Sequence, residues 1–252
     1  METTKQWTDT FGVSFEQTET GVKILGVSND SPLRRKDKEK ASSPLKYEIP
    51  EGVTVIGDRA FLGCHELTDI HIPDSVTTIE NGAFQSCEKL TSAIIPDSVT
   101  KLGNGVFFGC YSLSSVTLSH SLTTIGSWMF TNCISLTQIT IPDSVKEIEC
   151  STFSGCEEIQ SVTLSNSMTR IGMAAFQGLV KLTSINIPDS VTQIDEGAFA
   201  GCEALTNICS LTSVKEFRDD AFFGCSLKSV TVSKTARIDE TSFNDDVEIV
   251  RV

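Results

Sequence analysis

The chain has 252 residues, with 33 acidic against 20 basic side chains and a net charge of −13. That balance excludes sequence-independent binding to nucleic acid or anionic lipid, since both require a positive footprint. No apolar run approaches the roughly 18 residues of a membrane span.

The first residues, METTKQWTDTFGVSFEQ, hold no basic segment followed by an apolar core, so no secretory leader is expected and the chain as written reads as cytoplasmic. Residues 1–48 keep no period. Phe11–Phe15 and Val22–Val27 are apolar enough for two short strands, with Glu19-Thr20-Gly21 as a turn between them. Ser28–Ser43 is polar and includes a basic run, Arg34–Lys40; it could serve as an import or anion-binding patch, and a solvated loop is the expectation. Residues 1–48 are therefore expected to form a capping hairpin and polar loop over the open end of the array that begins at Ile49.

From Ile49 the chain repeats itself every 23 residues. IPDS recurs at Ile72, Ile95, Ile141 and Ile187, IPEG opens at Ile49, and the same slot reads LSHS at Leu118 and LSNS at Leu164. Phenylalanine stands at Phe61, Phe84, Phe107, Phe130, Phe153, Phe176, Phe199 and Phe222. A fixed period in this range signals a solenoid of stacked coils. Seven copies of 23 residues reach Cys209, a 22-residue copy runs from Ser210 to Thr231, and a degenerate one begins at Val232. The array thus spans 49–231, with 232–252 as a degenerate repeat and C-terminal cap.

One copy divides into three sides. Leu67–Ile72 alternates apolar and polar residues and predicts a half-buried strand. Pro73-Asp74-Ser75 ends it, because proline cannot donate to a ladder and Asp or Ser can bond the local backbone. Val76–Ile79 predicts a second short strand. Glu80–Cys87 is too short for a stable α-helix and predicts one helical turn with Ala83, Phe84 and Cys87 facing inward.

The chain has nine cysteines. Seven keep the period: Cys64, Cys87, Cys110, Cys133, Cys156, Cys202 and Cys225. Leu179 fills the remaining place in that column, which suits a small buried hydrophobe rather than half a disulfide, so free thiols are expected. Cys150 and Cys209 leave the column and are expected to be exposed, on different sides of the coil.

The consensus IP-x-SVT-x-I-x-x-x-AF-x-x-C-x-x-LT-x-I resembles the BspA-like, or treponemal-type, leucine-rich repeat over residues 49 to about 243. The resemblance implies an α/β, right-handed leucine-rich-repeat solenoid with a parallel concave β-sheet, about eight 23-residue repeats plus end caps. It also implies an adhesion or protein-interaction module, often at the cell surface.

The outward residues of each first strand form two columns. Their N-terminal half, Asp69, His71, Ser92, Ile94, Ser115, Thr117, Gln138 and Thr140, is the expected concave binding surface. The columns are nearly neutral and rich in hydroxyl and amide groups, which suits a protein or glycoprotein ligand, and a monomer is expected. The alternative is a secreted or surface adhesin for host glycoprotein or matrix. The turn carboxylates Asp74, Asp97, Asp143 and Asp189, with Glu51, supply about one ligand per coil where calcium needs six to eight, so no metal and no cofactor are expected. His65, His71 and His120 lie in separate copies without an orienting partner, and Gly103–Gly109 matches the repeat rather than a dinucleotide loop. Non-enzymatic protein binding is the expected function, with no catalytic residue.

Overall fold

The computed structural model describes residues 5–34, 44–209 and 211–252. It is a parallel β-solenoid of about nine turns with a repeat of roughly 23 residues. We number the coils by the sequence copies: coil 1 is 49–71, coil 2 is 72–94, and so on to coil 8 at 210–231 and coil 9 from 232. Each coil contributes one strand to a first face, such as Leu67–His71, and one to a second face, such as Thr78–Ile79. Strands of adjacent coils pair in parallel and in register, as Ser115 with Ser92 on the first face and Ile148 with Ile125 on the second.

Three antiparallel strands precede the array: β1 (Gln6–Thr8), β2 (Val13–Thr18) and β3 (Gly21–Val27). β3 pairs in parallel with Val53–Ile56 of coil 1 and so occupies the place of an earlier second-face strand. The register begins before Ile49, because Leu45–Glu48 already pairs with Leu67–His71. Most of the basic run at 34–40 lies outside the described residues. At its start, Arg34 turns its guanidinium toward Cys64, and the neighbouring Leu33 is fully buried.

The third side was expected to be a helical turn and is built of tight turns; the described residues contain no helix. Its backbone shows why none is needed. In coil 2 the amides of Gly82, Phe84 and Ser86 donate to the carbonyls of Asn104, Val106 and Phe108 in the next coil, at 2.8–2.9 Å. The alternate amides of Gln85 and Cys87 close local turns onto Gly82 and Phe84. This satisfies donors as an α-helix would while also joining the coils. The path needs a left-handed residue at two places per coil, four apart. Gly105 and Gly109 supply them in coil 3 (φ 59° and 69°), but Trp128 and Asn132 must do so in coil 4 (φ 56° and 61°). A side chain in this region costs about 1–2 kcal/mol that glycine does not.

Inside, the rings stack. Phe61, Phe84, Phe107, Phe130, Phe153, Phe176, Phe199, Phe222 and Phe243 succeed one another at centroid distances of 5.0–5.6 Å. Tyr47 continues the column toward the N-terminus, 5.5 Å from Phe61, and its hydroxyl donates to Asp9. The ladder cysteines are buried free thiols. They also act as donors, beyond the apolar role expected of them: Cys110 Sγ reaches the Phe84 carbonyl at 3.1 Å and Cys133 Sγ that of Phe107 at 3.2 Å. Each ladder thiol from Cys87 onward thereby ties its coil to the one before.

The two sheets are less continuous than the interior. On the first face no ladder joins coil 3 to coil 4, coil 5 to coil 6 or coil 7 to coil 8 among the described residues. At each of these junctions the incoming coil lacks the IPDS proline, although coil 9, which begins Val232-Ser233, keeps its ladder without that proline. In coils 4 and 6 the residue standing in its place is a fully buried serine. Ser119 donates to the Val99 carbonyl at 2.8 Å and Ser165 to that of Asp143 at 3.2 Å, and each accepts the amide two residues on. Such local side-chain bonds compete with the ladder at the strand's end. The second face is interrupted between coils 3 and 4 as well, so only turn-side backbone bonds cross there: Gly105 to Ser127, Phe107 to Met129 and Gly109 to Thr131.

Candidate interaction surface

The alternation of each first-face strand sends Ile70, Ala93, Ile139 and Val162 into the core and their neighbours outward. His71, Ile94, Ser115, Thr117, Gln138 and Thr140 are exposed, whereas Asp69 and Ser92 are half-buried. Ile94 is 67 % exposed, more than any other large apolar side chain described. Across coils 2–7 no outward residue of these strands is charged. Charge gathers at the N-terminal end, where Asp69 pairs with Lys46 at 3.7 Å.

The interrupted ladder opens a slot of about 310 Å³ between Ser115–Thr117 and Gln138–Thr140. Four of the residues expected at the binding surface, Ser115, Thr117, Gln138 and Thr140, line it together with His120. At its rim His120 spans the same junction, its amide donating to Asp97 Oδ1 at 2.8 Å and its ring lying 3.0 Å from the same oxygen. The amide, and after it the ring, hold the Asp97 carboxyl below its ordinary range. Of the remaining expected residues, Ser92 and Ile94 pair with Ser115 and Thr117 on the strand next to the slot, and Asp69 and His71 lie one coil further off.

A larger recess, about 420 Å³, lies on the second face and was not foreseen from the sequence. Glu149, Cys150, Arg170, Asp195, Arg218 and Asp239 are among its lining residues. Much of its charge is matched internally: Arg170 pairs with Asp195, Gln193 donates to Asp195 at 2.6 Å, and Arg237 lies 3.3 Å from Asp239. The two off-ladder cysteines are half-buried rather than exposed. Cys209 donates to the Ile187 carbonyl and accepts the Ile187 amide, at 3.2 and 3.1 Å, so its sulfur ties the last residue of coil 7 to the first. Cys150 contacts the Ser151 hydroxyl at 3.4 Å. No group of three or more His, Cys, Asp or Glu side chains converges on a common point among the described residues. No described helix is long and apolar enough to cross a membrane.

Coils of this length, closed by a phenylalanine stack, agree with a family model described as the BspA type leucine rich repeat region, which matches residues 40–149 and 129–249. The chain belongs to that family. Solved BspA-type and other leucine-rich repeat structures share its fold. A leucine-rich repeat protein from Eubacterium ventriosum is 21 % identical with a TM-score of 0.66, over 88 % of this chain and 50 % of its own. The T. pallidum leucine-rich repeat protein is 24 % identical with a TM-score of 0.58, over 87 % of this chain and 89 % of its own. The pneumococcal vaccine antigen PcpA is 18 % identical with a TM-score of 0.59, over 82 % and 62 %. The chain therefore spans half the length of the Eubacterium protein and about three fifths of PcpA. None of the curated proteins matches it.

Proposed function

We propose that this BspA-type chain is a non-enzymatic protein-interaction scaffold that takes its partner on the first face, over coils 1–4. The observation that carries this is the absence of charge from the outward first-face residues of coils 2–7 in a chain whose net charge is −13. Burying a charged group that finds no partner is expensive, whereas hydroxyls and amides can exchange water for partner hydrogen bonds at little loss. Ile94, at the middle of that stretch, supplies an apolar anchor, and the slot beside Gln138 and Thr140 supplies a concavity for a partner side chain. Family membership supports protein binding in general, and leucine-rich repeat solenoids are typically non-enzymatic.

Partner capture from the native source with the intact chain, set against an Ile94→Ser, Gln138→Ala, Thr140→Ala variant, tests the assignment. A partner held by the wild type and released at least tenfold more readily by the variant, with unchanged circular dichroism, is the expected result. Equal retention would move the site off this face.

A further inference from the structure

Residues 102–142, which make up most of coils 3 and 4, contain no Asp, Glu, Lys or Arg, although such residues are 21 % of the chain. On the turn side this neutral band carries three large exposed side chains: Tyr111 at 46 %, Trp128 at 48 % and Ile134 at 42 %. Tyr111 and Ile134 occupy one slot in successive coils, a single inter-coil step of about 4.8 Å apart. Other coils place Glu88, Glu157 and Glu203 there. Trp128 occupies a left-handed position that Gly82, Gly105 and Gly197 fill without strain. A Cβ placed on Gly105 would stand 3.8 Å from that of Phe108, so this slot adjoins the one holding Phe108 and Thr131.

Trp128 thus bears backbone strain while burying only half of its ring. Six other described non-glycine residues share this conformation, so it is the exposed ring rather than the strain that points to use outside the fold. The area decides what kind of use. An aromatic side chain carries roughly 150–250 Å², so three half-exposed large side chains offer about 300 Å². A stable protein interface takes about 800 Å² from each partner. The patch is therefore sized for a small ligand rather than a second protein.

Its surroundings are amides and hydroxyls. Asn104 uses its oxygen on the Ser127 amide at 3.0 Å and leaves its NH₂ without a protein partner among the described residues; Asn132 is exposed four residues after Trp128. A stacked nucleotide would bring phosphates to a protein of net charge −13. We propose that the turn side of coils 3 and 4 binds a neutral oligosaccharide, with the Trp128 and Tyr111 rings against the sugar's C–H faces and Asn104 and Asn132 on its hydroxyls. This site is separate from the first face and does not depend on the reading given to that face.

The test uses the full chain carrying Trp7→Phe, which leaves Trp128 as its one indole. It is titrated with cellotetraose, maltotetraose, N-acetylchitotetraose and lacto-N-tetraose at millimolar concentration, with a heparin tetrasaccharide as the acidic control. The expected result is a saturable shift of Trp128 emission with at least one neutral probe. Tyr111→Ser should weaken that response at least tenfold, and Gln138→Ala should leave it unchanged. Trp128→Gly, a residue the backbone accepts at this φ, should fold normally and lose saturation-transfer NMR contact with the sugar. No shift with any neutral probe, or a response to the heparin fragment alone, would overturn the proposal. Self-association abolished by Trp128→Gly would overturn it too, giving the patch to a second copy.

Discussion

Between coils 3 and 4 the first face and the turn side meet the same step differently. The first-face ladder stops there and leaves a slot. The turn side continues without a gap: Phe107 and Phe130 stack at 5.6 Å with rings 2° from parallel, three backbone bonds cross, and Cys133 reaches the Phe107 carbonyl. The solenoid's continuity therefore resides in its aromatic and thiol column, and the sheet is free to vary. A sheet relieved of that duty can open concavities without dividing the core.

Alkali should show the largest contrast. Burial pushes Cys64, Cys110 and Cys156 up to about 12 and raises Cys87 and Cys133 as well; a hydrogen bond with Cys225, and then burial, raise Cys202. A thiol whose folded pKa lies above its unfolded value favours the fold below the unfolded pKa, near 8.5, and withdraws that support as pH rises toward the folded one. Each such group costs about 1.4 kcal/mol per pH unit above 8.5, so six cost about 8 kcal/mol per unit. Against a total stability of roughly 5–15 kcal/mol, the chain should unfold between about pH 9.5 and 10.5. Circular dichroism across that range checks it, and a native spectrum at pH 11 would contradict it.

Phe130→Ala should come next, with a loss of about 3–5 kcal/mol. Because this ring spans the junction that both sheets leave open, one denaturant transition should become two, the coils on either side melting separately. A single, merely shifted transition would show that the first face couples the blocks after all. Ala174→Gly should act in the opposite direction. It relieves a left-handed alanine at φ 52° and should stabilise by about 1 kcal/mol in urea denaturation. The smallest effect belongs to the first face, where Thr140→Ala should stay within about 0.5 kcal/mol of wild type. A larger change would mean that the exposed columns hold the fold as well as presenting a surface.

Much of this was legible in the sequence, because a side chain that recurs every 23 residues at Phe84, Phe107 and Phe130 must stack if the coils do. The paired strands and free thiols come from the same period. The left-handed positions were legible in principle: glycine fills one slot at Gly63, Gly109, Gly155, Gly178, Gly201 and Gly224. Ser86 and Asn132 interrupt that slot, and the other left-handed slot is obscured by Arg59, Trp128, Ser151, Ala174 and Asp220, which accept the conformation without being glycine. The ladder breaks had a marker too, serine for proline at Ser119 and Ser165, but its meaning lies in a buried hydroxyl's choice of acceptor, which composition does not specify. The half-burial of Cys209 depends on its sulfur closing back onto Ile187 at the far end of the same copy, a contact that appears only once the coil has turned. The uncharged stretch at 102–142 is plain in the sequence, yet it gains significance only once Tyr111 and Ile134 are seen to share one slot.

The serine-for-proline exchange at Ser119 also sets how the molecule would respond to load. Pulled from its two ends, the stack should yield first between coils 3 and 4, where two of three sides offer no backbone resistance and the remaining bonds must open in turn. Single-molecule extension should record an early low-force step there, before the better-laddered blocks unravel. Ser119→Pro would raise that first force if the hydroxyl is what weakens the seam.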